Sequence, residues 1–313
     1  MRRSASIFLL VVLILSFALA AFAREALWEE LSRKMVTLYQ RGQYPEAARV
    51  AEEALKVAEK TFGPHHPNVG TSLNNLALLN QVQGKYTEAE PLYRRDLAIG
   101  EKSFGPNHPH VATSLNNLAV LCRVQGRYAE AEPLYRRSLA IREKALGPDH
   151  PDVAESINNL AALYQAQKKY AEAESLYKRN LVLWEKALGP KHPDVAVSLN
   201  NLAELYRIQG NYPEAEPLYK RSLAIREEAL APNHPDVAES LNNLALLYQA
   251  QGRYAGAEPL YKRSLAIMEK SLGPDHPHVA IVCENMAECC RALGKKEQAE
   301  MLEARARKIR AYR

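Results

Sequence analysis

Apolar residues recur along the chain with a helical period, and the pattern changes register twice in every 42 residues. Around residue 241 one helical face is formed by Leu241, Leu244, Ala245 and Tyr248. Gly252 follows as a helix stop, and a second stripe then consists of Tyr254, Ala257, Leu260, Tyr261 and Leu265. Sustained alternation of apolar and polar residues is absent, so the sequence predicts an all-α protein.

The helix pair repeats in strict register. A His-Pro dipeptide starts each period, at His66, His108, His150, His192, His234 and His276. One pair is too small to bury its own apolar stripe, so stacked neighbours must close the core. The predicted organisation is a capping pair at 24–62, five full repeats at 63–276 and a C-terminal capping pair at 277–313, about seven helix-turn-helix units. Lys34 and Lys296 replace core leucine and tyrosine in the end pairs, as expected of caps.

The first 23 residues differ from the repeats. Arg2 and Arg3 precede an apolar run from Ile7 to Leu19, and Ala21-Phe22-Ala23 offers small residues for cleavage. This order is typical of a secretory signal peptide, and it predicts an exported protein, periplasmic or secreted. An uncleaved anchor formed by residues 7–22 is the alternative.

Composition adds few constraints. Hydrophobic residues make up 47% and charged residues 25% of the chain, and the net charge is +5, which does not by itself argue for nucleic acid. Four cysteines show neither a disulfide framework nor metal spacing, and the histidines form a row of turn and capping residues. Phosphate-loop, zinc-protease and nucleophile-elbow motifs are lacking, so we expect no catalysis, no cofactor, no metal and no small-molecule substrate.

The spacing L-x-x-L-A-x-x-Y, then G-x-Y-x-x-A and a further tyrosine, resembles the tetratricopeptide repeat. The 42-residue form, with HP and LNNLA segments, is similar to the repeat of kinesin light chains and their bacterial relatives. The resemblance implies a right-handed α-solenoid, a superhelix whose first helices line a concave groove. In kinesin light chains that groove binds short peptides, often acidic ones. A heptad coiled coil for a motor heavy chain is lacking, so motor attachment is not implied.

Two asparagine rows are predicted to lie on the free face of the first helices, about 100° apart on a helical wheel. The first row is Asn74, Asn116, Asn158, Asn200 and Asn242, and the second is Asn75, Asn117, Asn159, Asn201, Asn243 and Asn285. Amides that donate and accept can hold an extended peptide backbone. The alternative is that they bond neighbouring helices and order the stack.

Arginine and glutamine alternate further along the same helices, at Gln81, Arg123, Gln165, Arg207, Gln249 and Arg291. An arginine there can grip a carboxylate through two hydrogen bonds. The resemblance implies peptide contacts from Asn117, Asn159, Asn201, Asn243, Arg123 and Arg207. We therefore expect a scaffold that binds extended protein or peptide segments, with a preference for acidic ones.

Basic pairs on the second helices, such as Arg94-Arg95 and Lys262-Arg263, each follow a glutamate by four residues. The charge is therefore predicted to be compensated within the helix, which argues against nucleic acid, and a membrane partner is expected only if the N-terminal segment is retained. The second functional hypothesis is a structural module that stacks or self-associates through its repeat surfaces.

Overall fold

A computed structural model describes residues 22–311, and within this range every regular element is an α-helix. The predicted export signal, residues 1–23, lies outside the described residues except for its last two. Among the helices of the described range, none is both long and apolar enough to cross a membrane.

Fourteen helices make up the described range, and their order matches the predicted pairs. They are α1 (22–40), α2 (Tyr44–Phe62), α3 (Pro67–Val82), α4 (Tyr86–Phe104), α5 (Pro109–Val124), α6 (Tyr128–Leu146), α7 (Pro151–Ala166), α8 (Tyr170–Leu188), α9 (Pro193–Ile208), α10 (Tyr212–Ala229), α11 (Pro235–Ala250), α12 (Tyr254–Leu272), α13 (Pro277–Ala292) and α14 (Lys296–Ala311). The odd-numbered members are first helices and the even-numbered members are second helices.

Each first helix from α3 onward begins at the proline of a His-Pro dipeptide. The preceding histidine is the N-cap, and its Nδ1 accepts the backbone N–H two residues later at 3.1–3.3 Å. Proline suits the first turn because its missing N–H would have no helical partner there. The predicted capping role of the six histidines is thus confirmed. Within the described range, groups of three metal-ligating side chains close enough to hold an ion are absent.

The chain divides into two compact units, Met1–Pro148 and Asp149–Arg313, each described here by itself. In both, consecutive helices pack together, and buried alanines fill the space between them, joined by a buried tyrosine on each of the second helices α4, α6, α8, α10 and α12. First helices also pack against first helices, α3 against α5 in one unit and α11 against both α9 and α13 in the other. This side-by-side packing places the first helices of a unit in one layer.

Second helices are tied to each other by ion pairs that recur once per repeat. Arg95 pairs with Glu59, and Arg221 pairs with Glu185, at 2.6 Å in both cases. Both arginines also donate to the carbonyl of a turn proline, Pro64 or Pro190. The first members of the basic pairs bond the glutamate four residues earlier, as Arg94 does with Glu90. The predicted charge compensation is confirmed for these pairs, although each exposed pair contributes only about 0–1 kcal/mol.

A buried polar contact links four of the second helices, α6, α8, α10 and α12, to the first helix of the same repeat. Ser138, Ser222 and Ser264 donate to an alanine carbonyl at 2.7–2.8 Å. In α8 the amide of Asn180 donates to the Ala154 carbonyl at 2.6 Å and accepts a hydrogen bond from Ser198 at 2.5 Å. These contacts satisfy polar groups that would otherwise be buried without partners.

In α4 the same position is Asp96, a carboxyl that is only 1% exposed. Its Oδ2 accepts a hydrogen bond from the Ser114 hydroxyl at 2.6 Å, and its Oδ1 has no hydrogen-bond partner. Gly70 replaces the alanine of the other repeats, and a Cβ there would lie 2.8 Å from Oδ1. Burial raises the pKa of Asp96 to about 6, with the Ser114 hydrogen bond opposing the rise.

Candidate functional site

The solvent-exposed sides of the first helices that carry the repeated asparagines, which excludes α1, are the candidate site, and we call them the first-helix faces of the two units. The face of unit 1 belongs to α3 and α5, and the face of unit 2 to α7, α9, α11 and α13. Val82 and Val124 are exposed in unit 1, as are Val197 and Ile281 in unit 2. Both faces are open to solvent, so backbone and side chains of a partner segment could reach them.

The asparagine rows form a hydrogen-bonded ladder between neighbouring first helices. In each rung the second asparagine of one repeat donates from Nδ2 to Oδ1 of the first asparagine in the repeat before. The rungs are Asn117 to Asn74 at 2.8 Å, Asn201 to Asn158 at 2.7 Å, Asn243 to Asn200 at 3.0 Å and Asn285 to Asn242 at 3.0 Å. The asparagines therefore do order the stack, which was the alternative stated above.

The two rows differ in exposure. Asn116, Asn200 and Asn242 are 3–8% exposed, so the prediction that the first row lies on the free face is wrong for these three residues. The ladder draws their side chains between adjacent helices, where each Oδ1 can serve as acceptor. The second row, from Asn75 to Asn243, stays half-buried at the edge of the face. A rung uses one of the two N–H groups of such an amide, which leaves hydrogen-bonding capacity for a ligand.

The three glutamines of the alternating series have a structural partner that the sequence spacing did not reveal. Gln81, Gln165 and Gln249 each accept a hydrogen bond from the hydroxyl of a buried tyrosine twelve residues later, at 3.0–3.2 Å. The tyrosines are Tyr93, Tyr177 and Tyr261 on the second helices. Burying these rings requires an acceptor for each hydroxyl, and the glutamine supplies it.

The arginines of the series do not all offer free charge, contrary to expectation. Arg207 forks onto Glu204 of its own helix through Nε and Nη2, both at 2.7 Å, and Glu204 also accepts from the Tyr219 hydroxyl at 2.7 Å. Arg291 pairs with Glu303 of α14. Because a carboxylate already neutralises each of these two arginines, neither offers an unpaired guanidinium to an acidic partner.

Arg123 differs from them. Its Nε is buried and has no hydrogen-bond partner, and among the described residues no carboxylate is paired with it. The hydroxyl of the buried Tyr135 beside it also lacks a hydrogen-bond partner. Burial raises the pKa of Tyr135, and the Arg123 guanidinium partly offsets that rise. Arg123 is also the only Lys, Arg, Asp or Glu residue on α3 and α5, so the face of unit 1 carries one positive charge.

The face of unit 2 has the opposite charge, a feature that the sequence interpretation missed. Its first helices carry eight carboxylates and two arginines, Arg207 and Arg291. The carboxylates are Asp152, Glu155, Asp194, Glu204, Asp236, Glu239, Glu284 and Glu288. On a helical wheel, the positions of Glu155, Glu204, Glu239 and Glu288 fall between the two asparagine rows. The same wheel shows them from the sequence alone, although these positions hold glutamate in only some of the repeats.

A cavity of about 240 Å³ opens on the face of unit 2, among α11, α12 and α13. Its polar walls are Glu239, Asn242 and Asn243, and its apolar walls include Met268, Ile281 and Val282, with His278 also lining it. Glu239 is half exposed there, with 51% of its side chain accessible. The cavity thus combines a carboxylate, amides and an aliphatic surface.

The sequence profile of the tetratricopeptide repeat matches six overlapping segments of the chain: 35–95, 69–144, 112–179, 152–228, 194–270 and 236–311. The chain belongs to the tetratricopeptide repeat family. Its fold class is accordingly the all-α solenoid of helix-turn-helix repeats, and its general role is that of a protein-interaction scaffold.

Solved structures with similar folds include kinesin-light-chain-type, nearly identical TPR-like repeats from Podosopora anserina. They are 32% identical to this tetratricopeptide repeat protein, cover 66% of it and 98% of their own chain, and superpose with a TM-score of 0.56. BtubC (BKLC) from P. vanneervenii is 24% identical, with coverage of 78% and 92% and a TM-score of 0.58. The likeness supports the predicted kinesin-light-chain-like type of repeat.

A Rap protein in complex with competence and sporulation factor shares the fold at 13% identity. The alignment covers 89% of this chain and 73% of the Rap protein, with a TM-score of 0.63. A search of curated protein sequences finds no match.

Proposed function

We propose that this protein holds an extended segment of a partner protein on its first-helix faces and has no catalytic activity. The observation that carries the proposal is the row of second asparagines. They recur at one position, stay half-buried at the edge of the face and retain an N–H and a carbonyl lone pair beyond the ladder. An extended backbone presents the complementary groups along its length.

Arg123 gives unit 1 a place for one carboxylate of that segment. The residue is only half-buried and is not paired with a carboxylate of the described residues, so the accessible part of its guanidinium can bind a carboxylate through a charge-assisted hydrogen bond of about 1.5–3 kcal/mol. The preference for acidic segments is therefore proposed for unit 1 alone. Arg207 and Arg291 contribute little to it, because Glu204 and Glu303 already bind them.

The test uses a random decapeptide library displayed on phage and selected against residues 24–313. We expect the selected peptides to contain Asp or Glu and to bind at least about tenfold more weakly to Arg123→Gln, since each lost charge-assisted bond is worth 1.5–3 kcal/mol. Glutamine already occupies this position in three repeats, where it bonds the buried tyrosine, so the variant should fold. Fluorescence anisotropy measures the dissociation constants.

Arg207→Gln is the matched control, because it removes an arginine that is already neutralised. It should leave binding of the same peptides within about twofold. Selection of no peptide, or equal loss of binding in both variants, would contradict a carboxylate site at Arg123. Light scattering on the same samples reports self-association, which is the competing explanation for a repeat surface of this kind.

We further propose that residues 1–23 direct export of the chain. The support is the order of basic, apolar and small residues in this segment. When the full-length chain is expressed in a bacterium, it should be recovered from the periplasm or the medium with Arg24 as its first residue. N-terminal sequencing checks this, and membrane-bound protein that still begins at residue 1 would favour the anchor.

A further inference from the structure

The cavity of unit 2 lies where two other repeats place an arginine. Met268 of α12 is in register with Arg142 of α6 and Arg226 of α10, which are both at most 4% exposed. Arg226 donates from Nη1 to the Asp236 carbonyl at 2.8 Å, to Ser240 at 3.0 Å and to Glu239 at 3.2 Å. At Met268 the chain supplies no such cation, and a space of about 240 Å³ remains beside the side chain.

The walls of this space suit a long side chain with a charged end. Met268, Ile281 and Val282 offer an apolar surface for methylene groups. Glu239 lines the space with half of its side chain exposed, and Asn243 also lines it. Lysine and arginine bury their stems along apolar surfaces while keeping the charged head near polar groups. An acidic side chain would instead meet the Glu239 carboxylate.

The surrounding charge favours the same occupant. The first helices of unit 2 carry eight carboxylates against two arginines, which are paired with Glu204 and Glu303. Arginines of second helices pair with two of the carboxylates, Glu239 and Glu284, so carboxylates still outnumber arginines after these pairs are counted. Glu239 already accepts one N–H of the buried Arg226 at 3.2 Å, but half of its side chain remains exposed, so the carboxylate can accept a hydrogen bond from a second cation. His278 is the other titratable group in the cavity wall. A face of this charge attracts cationic segments and disfavours anionic ones.

We propose that this cavity binds a lysine or arginine side chain of the extended partner segment. This inference rests on the proposed function stated above. The aliphatic stem lies against Met268, Ile281 and Val282, and the charged head bonds Glu239 and the carbonyl of the Asn243 amide. Unit 2 therefore selects a basic residue, whereas the acidic preference belongs to Arg123 in unit 1.

The test uses the decapeptides selected on residues 24–313, resynthesised with lysine, norleucine or glutamate at each position in turn. Norleucine keeps the aliphatic stem and lacks the charge. At one position, we expect the lysine peptide to bind at least about tenfold more tightly than the norleucine peptide, as a charge-assisted hydrogen bond implies. Raising the ionic strength should reduce that ratio.

Two variants locate the effect. Met268→Arg fills the cavity with the side chain that α6 and α10 carry at this position, and Glu239→Gln removes the carboxylate while leaving the space open. Both should bring the lysine-to-norleucine ratio close to one, and binding of the norleucine peptide to Glu239→Gln should be unchanged. Glu155→Gln, in the same register on α7, is the control that should keep the full ratio. Circular dichroism verifies that each variant is helical.

The outcomes separate this inference from the proposed function. If peptides bind but lysine, norleucine and glutamate are equivalent at every position, the cation site is wrong and the scaffold proposal stands. A lysine preference that survives both Met268→Arg and Glu239→Gln also overturns the site. If none of the peptides binds at all, the proposed function itself fails.

Discussion

Replacing Asp96 with asparagine is expected to raise the free energy of unfolding by about 3 kcal/mol at pH 8 and to change it little at pH 4. The folded-state pKa of Asp96 is about 6, above its ordinary value of 3.8. The folded protein thus holds this proton more tightly than the unfolded chain does. The resulting stability is present in full below about pH 4 and is lost as the pH rises through 6. The difference of about two pH units corresponds to about 3 kcal/mol.

Asparagine avoids this loss because it carries no charge. Asn180 shows the contact that the variant would make: its amide donates to a main-chain carbonyl and accepts from a serine. Chemical unfolding at several pH values measures the effect. The neighbouring His110 has its Nε2 at 3.9 Å from the carboxyl, but burial lowers its pKa, so it does not provide a compensating charge near neutral pH.

The reverse substitution, Asn180→Asp, is the matched control. It should give unit 2 the same pH dependence, with stability falling between about pH 4 and 6. A stability difference between Asp96→Asn and the original chain that is independent of pH would show that the carboxyl is not the cause.

Replacing Tyr219 with alanine is expected to lower the free energy of unfolding by about 3–5 kcal/mol. Tyr219 is fully buried, and deleting a large aromatic side chain leaves a cavity that the surroundings fill only in part. The substitution also removes the hydroxyl that donates to Glu204. Denaturant unfolding followed by circular dichroism measures the change.

Two phenylalanine variants separate the ring from the hydroxyl. Tyr219→Phe keeps the ring and should lose about 1–2 kcal/mol, because Glu204 retains the Arg207 fork. Tyr135→Phe should be neutral or stabilising, because the Tyr135 hydroxyl is buried without a hydrogen-bond partner. If Tyr135→Phe were as destabilising as Tyr219→Phe, the hydrogen bond to Glu204 would not explain the difference.

The elements of the fold could be predicted from the sequence because each has a local cause. The His-Pro dipeptide marks the start of a first helix, and the 42-residue step fixes every later copy. Capping acts over two residues, so it needs no knowledge of tertiary contacts. The stacking of repeats could be predicted because a single helix pair is too small to bury its own apolar stripe.

The site was less predictable because its contacts are made between helices. The glutamine partners of the buried tyrosines lie on a different helix, which no wheel of one helix shows. The exposure of an asparagine depends on the neighbouring repeat. Other features were visible in principle: Glu204 precedes Arg207 by three residues, a spacing that allows pairing. Asp96 is likewise the one carboxyl at a position held by serine or asparagine in the four following repeats.

The contacts that join repeats all have a short reach along the chain. The asparagine rungs join residues 43 apart, and the glutamate–arginine ties join residues 36 apart. The inter-repeat contacts of a residue therefore involve only the repeat before it and the repeat after it. Removing or duplicating 42 residues at one of the repeated turns would give each asparagine rung and each glutamate–arginine pair an equivalent partner. The molecule can thus change its length in whole steps, adding or losing recognition positions without redesign of what remains.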